Sequence, residues 1–255
     1  MRSIAFVVAL AACHGSHGST SLDSPSSSVA PQPDRSRGLA VVELFTSEGC
    51  NSCPPADAAL ADLVKRGDAR VFPIAFHVDY WDALGWPDRF ADARFTSRQR
   101  AYATAFGASS VFTPQMIVNG ATSMNGADHA SADAAIARAL ATTTSTALAI
   151  AVETRGASVV VRWRVDGPGA SLVVAIVEGA IVSRVKRGEN AGRTLHHENV
   201  ARAFATTAID AAEGTTTLAL PSDVERAHAE IVAFVQNESD GARPIVAAAR
   251  AALPR

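Results

Sequence analysis

Val41-Val42-Glu43-Leu44-Phe45-Thr46-Ser47-Glu48-Gly49-Cys50-Asn51-Ser52-Cys53-Pro54-Pro55 is the stretch whose reading decides the fold. Val41–Phe45 is a short apolar run and predicts a buried strand. It ends in a Ser/Glu/Gly turn, and Cys50 and Cys53 follow as a C-x-x-C pair. Pro54 suits the first turn of a helix, where its missing N–H costs nothing. Ala56, Leu60, Leu63 and Val64 then recur at helical spacing, and Gly67 supplies a stop. The dithiol is therefore expected at a helix N-terminus, where free N–H groups and the helix dipole favour a thiolate. Cys50 is expected to be an exposed nucleophile, and Cys53 a more buried resolving thiol close enough to close a disulfide.

Val71–Val78 predicts a second buried strand. Asp79–Asp88 follows at its carboxyl end, where α/β sheets form their sites. This loop holds three carboxylates and Tyr80, Trp81 and Trp86, which are candidates for substrate contact. His77, at the strand end, reads as a proton carrier, a metal ligand or a hydrogen-bonded structural histidine. Phe90–Phe106 carries a helical apolar pattern stopped by Gly107. Thr113-Pro114, a strand at Met116–Val118, an Asn119-Gly120 hairpin turn, a return strand at Ala121–Met124 and a helix from His129 to Leu140 capped by Asp128 complete this part. Strand, dithiol, helix, strand, helix, proline, hairpin, helix is the order of the thioredoxin fold, expected over residues 39–144. That fold places a cis-proline facing its dithiol where Thr113-Pro114 stands; a trans proline opening a strand is the alternative.

Past Thr144 the period changes from 3.6 to 2. Leu148, Ile150 and Val152, then Val159, Val161, Trp163 and Val165, alternate with other residues. Leu172–Val177, Ile181–Lys186, Thr215–Leu220, Glu230–Gln236 and Pro244–Ala249 are further strand candidates. Short strands with Gly/Asp turns argue for a small antiparallel β-sandwich-like domain over residues 145–255. Arg187–Val200 is polar and long for a hairpin loop, with adjacent histidines and two glutamates. It reads as a loop packed on the dithiol domain, a partner-binding segment or, less readily, a metal site, because adjacent strand histidines point to opposite faces.

The chain has 255 residues, with 48% apolar content, 23 basic against 25 acidic residues and a net charge of −2. No basic run points to nucleic acid. The cysteines are three, Cys13, Cys50 and Cys53, which excludes a structural disulfide framework. Arg2 followed by apolar Ile4–Ala12 reads as a short export signal over residues 1–12. Leu10-Ala11-Ala12-Cys13 has the form of a bacterial lipobox, making Cys13 the lipidated residue; a plain signal cleaved near Ala12 is the alternative. Residues 13–38, rich in Ser, Gly and Pro, read as a flexible tether. The expected location is the bacterial periplasm or cell envelope, with a lipid anchor at the membrane.

Val41–Pro55, Phe76–Trp86 and Phe112–Gly120 resemble DUF1223, a family of bacterial secreted thioredoxin-like proteins without an assigned function. The likeness covers most of the chain from Leu39 onward and implies the fold and export but no reaction. The wider thioredoxin superfamily casts Cys50 as nucleophile, Cys53 as resolving thiol and Pro114, after Thr113, as the cis-proline. It also often has a buried carboxylate on the strand before the dithiol. Glu43 is the candidate, one residue further from Cys50 than in thioredoxins, and Gly49 stands where thioredoxins have Trp. Thiol–disulfide exchange with envelope proteins, needing no cofactor, is the expected function. An envelope metal-handling (copper) protein and a non-catalytic binding module with a structural disulfide are the alternatives.

Overall fold

The computed structural model describes residues 37–239 and 241–254. The export segment, Cys13 and the tether up to residue 36 lie outside the described residues. The fold is mixed α/β, built on one large mixed sheet with few helices.

The first strand, β1 (Ala40–Thr46), is buried along its whole length, as is β2 (Val71–His77). They pair in parallel, Ala40 opposite Val71 and Thr46 opposite His77. Burial on both faces is why both read as near-continuous apolar runs rather than alternations. The crossover between them is α1 (Pro54–Arg66), closed by Gly67 in the left-handed region at φ 64°. The next helix, α2 (Ala93–Ala105), begins later than Phe90 because the Asp92 side chain caps it, accepting from the Arg94 N–H at 2.8 Å. The Thr113-Pro114 peptide is cis. The strand β3 (Gln115–Val118) returns antiparallel to β1 and turns through Asn119 and Gly120, both at positive φ, into β4 (Thr122–Asn125). Asp128 caps α3 (His129–Ala141).

Among the described residues, the regular elements of the second half are strands apart from one short turn of 3₁₀ helix. A hairpin of β5 (Ala147–Arg155) and β6 (Ser158–Asp166) is extended by β11 (Glu213–Ala219) into a three-stranded antiparallel sheet. The remaining strands are β7 (Ser171–Glu178), β8 (Ile181–Arg184), β9 (Thr194–His197), β10 (Val200–Ala208), β12 (Ala229–Gln236) and β13 (Ile245–Ala252). Four of these join the first half in one eight-stranded sheet, β13-β12-β7-β10-β2-β1-β3-β4. The sheet therefore runs through the 144/145 division. The join is β10, antiparallel to β7 and parallel to β2 at Val200–Ala75. Sequence patterning leaves β10 out: its Ala- and Thr-rich run A-R-A-F-A-T-T-A has too little apolar contrast to announce a strand.

Alternate side chains of the large sheet go to opposite faces. On one face, Val41 and Phe45 of β1, Phe72 and Phe76 of β2, and Val232 and Phe234 of β12 pack under α2. On the other, Val42 and Leu44 meet α1 and α3, while Leu172, Val174 and Ile176 meet the three-stranded sheet.

Glu43 shares the α2 face, so it projects away from α1 and cannot serve the dithiol as a buried acid. It meets Arg98 of α2, whose Nε donates to Oε1 at 2.7 Å, and accepts from the Tyr102 hydroxyl. Arg98 also donates to Gln236 Oε1 at 3.1 Å and to the Tyr102 oxygen at 2.8 Å. Removing one partner of such a pair strands the other charge in the core. Glu43→Ala is expected to cost about 3–5 kcal/mol, seen as a lower urea midpoint; a change below about 1 kcal/mol would show that the pair does not hold β1 to α2.

Candidate functional site

Cys50 and Cys53 are joined as a disulfide with Cα atoms 5.4 Å apart. Cys53 is the N-cap residue of α1 and Pro54 its first helical residue. Both cysteines are fully buried, at 0% exposure. The expected asymmetry, with Cys50 open to solvent, is absent because the β8–β9 connection lies over the site. The Asn190 amide donates to the carbonyls of Glu48 and Cys50, each at 2.9 Å, and the Glu189 carboxylate accepts from the Asn51 N–H at 3.1 Å. Of the three readings of Arg187–Val200, the structure bears out a segment packed on the dithiol, although Thr194–His197 is a strand.

The aromatic loop is also committed internally. Asp79–Leu84 forms a 3₁₀ helix. Trp81 Nε1 donates to Thr113 Oγ1 at 2.8 Å, tying this loop to the cis-proline segment. A Cβ on Gly49 would lie 3.2 Å from the Cβ of Trp81, so the loop backbone closes on the position before Cys50. The Tyr80 hydroxyl reaches Gln99 at 3.3 Å, and Trp86 Nε1 donates to Glu48 Oε2 at 2.7 Å. Tyr80, Trp81 and Trp86 are all only partly buried.

Below the disulfide lies a group of buried ionisable side chains that patterning did not assemble: Glu48, Asp57, His77, Asp88 and His197. Asp57 sits one turn after Cys53 on α1, so the two share a helix face. Its Oδ1 accepts from the Thr46 hydroxyl at 2.7 Å. Thr46 is opposite His77 in the β1–β2 register, so both side chains leave the sheet toward α1. His77 Nδ1 donates to Asp88 Oδ2 at 2.6 Å, and Asp88 also accepts the N–H groups of Glu48 at 2.8 Å and Phe90 at 2.9 Å. Glu48 Oε1 lies 3.2 Å from His197 Nε2. The two imidazoles meet edge to face with centroids 5.0 Å apart, and Phe90 packs against both. Nε2 of His77 is buried and has no hydrogen-bond partner among the described residues.

Burial pushes the Asp57 carboxyl upward against the opposing charges of His197 and His77. Burial also works against ionised Asp88, but the His77 charge and hydrogen bond and the two N–H donors outweigh it, holding the carboxyl at about 2. In His77, burial opposes the charged ring, and Asp88 with more distant Asp57 and Glu48 overcomes it, so the imidazole is more basic than usual. Glu48 is likewise penalised by burial, yet His197, Ser183 and Trp86 hold it below the usual range. No three His, Cys, Asp or Glu residues among the described residues are arranged to hold a metal ion. A sequence signal for this group existed only in part: Glu48 and Asp57 flank the dithiol, and His77 and Asp88 flank the aromatic loop, but nothing local joins them to His197.

The pair has a defined pH signature. The Asp88 contribution is present above its unfolded value near 3.8 and is lost as pH falls through about 2. The raised His77 contributes below its ordinary value of 6.5, and that contribution is lost as pH rises through its folded value. Asp88→Asn is expected to remove about 2 kcal/mol of the stability difference between pH 5 and pH 2, measured by urea unfolding at each pH. An unchanged acid limb would show that the pair is not formed.

Three comparisons with known proteins bear on this arrangement. The chain is similar to protein AGR_C_4864 from Agrobacterium tumefaciens, known from a crystal structure, at 30% identity and a TM-score of 0.61, over 84% of this chain and 94% of that one. It is also similar in fold to HBP35 of Porphyromonas gingivalis, at 16% identity and a TM-score of 0.59, over 85% and 76% of the two chains. No curated protein matches it. Residues 41–236 match the family DUF1223, described as a protein of unknown function. That span takes in the dithiol, the loop over it and every member of the buried group, and the chain belongs to the DUF1223 family.

Proposed function

We propose that this protein carries out thiol–disulfide exchange through Cys50 and Cys53 on a thioredoxin-like frame in the cell envelope. The observation that carries the reading is the closed dithiol at the N-terminus of α1, set directly over buried ionisable groups. The sub-order β2-β1-β3-β4, with β1 parallel to β2 and antiparallel to β3, supports a thioredoxin-like frame for the first half. The cis Thr113-Pro114 peptide fits the same frame. The export pattern and Cys13 in the sequence support envelope proteins as the exchange partners. In the exchange, a substrate thiolate attacks Cys50 Sγ and Cys53 departs with the electron pair. In reverse, the Cys53 thiolate attacks the mixed disulfide at Cys50 and the substrate thiolate leaves.

Burial of both sulfurs favours a second reading, a structural disulfide in a binding module. Equilibration of the purified protein in glutathione buffers, with alkylation of free thiols, separates the two. Exchange requires a potential within about −120 to −270 mV, whereas a structural disulfide lies below about −300 mV. In cells, Cys53→Ser is expected to accumulate mixed disulfides on Cys50 and Cys50→Ser is not; recovery of none from Cys53→Ser would count against exchange.

Access to Cys50 on this reading requires the β8–β9 connection to lift. Asn190→Ala removes two hydrogen bonds of about 1 kcal/mol each, so reduction by dithiothreitol is expected to accelerate about thirtyfold. An unchanged rate would mean that reductant enters by another side.

A further inference from the structure

The exchange reading leaves one buried group without a role. His77 keeps Nε2 buried and without a hydrogen-bond partner among the described residues, while Asp88 fixes its other nitrogen at 2.6 Å. Burying a polar nitrogen in that way is costly, and a role in a second state of the molecule accounts for its retention. Resting on the exchange reading, we propose that the His77–Asp88 pair, reached through Asp57, stores the proton that the Cys53 sulfur takes up when the disulfide opens and gives back when it closes.

The placement follows from the fold. Cys53 and Asp57 share one face of the first turn of α1. Asp57 is fixed by Thr46, and Thr46 is the register partner of His77 on the neighbouring strand. The groups facing His77 are Asp88 from the loop after β2, Asp57 from α1, Glu48 from the turn before the dithiol and His197 from β9. Three carboxylates against one neighbouring imidazole favour a proton on His77 while the sulfurs are bonded.

The steps balance. As a thiolate attacks Cys50, the S–S bond breaks and Cys53 leaves as a thiolate in a site that is fully buried. A buried thiolate is unfavourable, so the sulfur takes a proton from the Asp57 carboxyl, and Asp57, which is not itself hydrogen-bonded to His77, is reprotonated from Nε2 of His77 through one intervening water. On closure, the Cys53 thiol returns its proton by the same route and attacks the mixed disulfide on Cys50, expelling the substrate thiolate. Asp88 is a positioning residue: it sets the ring orientation and stabilises the imidazolium.

The test isolates closure. Reduced protein treated with a limiting amount of Ellman's reagent forms a mixed disulfide on Cys50, and attack by Cys53 releases a coloured thiolate. In the wild type, closure at pH 7 is expected to be fast. His77→Gln is expected to slow it at least about tenfold, with the rate recovering as pH rises and Cys53 ionises unaided. Asp88→Asn is expected to shift the pH profile the same way by a smaller amount. Closure in His77→Gln with the wild-type rate and pH profile overturns the relay and leaves the exchange reading standing. Failure of the wild type to close at any pH overturns the exchange reading and the relay with it. Nitrogen NMR of the wild-type His77 ring, needing no variant to fold, gives an independent readout. The ring is expected to be doubly protonated in the disulfide form and singly protonated in the dithiol form at the same pH; identical protonation in both overturns the proposal.

Discussion

A guanidinium without water must be surrounded by acceptors, and the position of Arg98 shows how much of the fold that requirement organises. Its partners come from three places far apart in sequence: Glu43 on β1, Tyr102 one turn further along α2 and Gln236 at the end of β12. Four rings, those of Phe76, Tyr102, Phe204 and Phe234, lie within 6 Å of the charge. β1 and β12, which lie two places out from β10 in opposite directions, are thus held to one helix by one buried charge. Tyr102 and Gln236 also satisfy each other, and Gln236 Nε2 donates to the Arg243 carbonyl at 2.7 Å. A half-satisfied network of this kind would be worse than an apolar core, which is why the join is specific.

The opposite face of the same strands carries the dithiol. Once Glu43 is taken by Arg98, the side chains left near the disulfide on the α1 face are Thr46, Asp57 and His77, with Glu48 and Asp88 from the flanking turns. They meet in pairs, His77 with Asp88 and His197 with Glu48. The C-terminal half supplies His197 to this floor and Asn190 to the cover. The site is therefore complete only when β8, β9 and β10 are in place, and the second half is part of the site's construction. The exchange reading and the structural-disulfide reading differ in whether that cover opens, not in the covalent chemistry of the pair.

Much of the first half was legible because its signals are local. The strand at Val41–Phe45, the helix opened by Pro54 and stopped by Gly67, the Asn119-Gly120 hairpin and the Asp128 cap depend on residues within a few positions of one another. The alternating strands after Thr144 are legible for the same reason, since one face of each meets a core. Other features were not readable locally. The role of Glu43 depended on which face of β1 meets α2. The burial of Cys50 depended on a segment 140 positions away along the chain. The strand at Val200–Ala208 lacks apolar contrast, and only its pairing with β7 and β2 reveals it.

The sequence by itself determined that a C-x-x-C pair follows a buried strand and opens a helix, because strand periodicity, proline at a helix start and glycine at its end are properties of neighbouring residues. The tertiary structure alone decided that the dithiol is enclosed, that Asp57 and not Glu43 shares its face, and that His77 meets His197. Those outcomes follow from sheet register and strand order, which bring residues together across distances that no local pattern spans. A one-residue change of register would have turned His77 away from α1 and left the dithiol over a different floor.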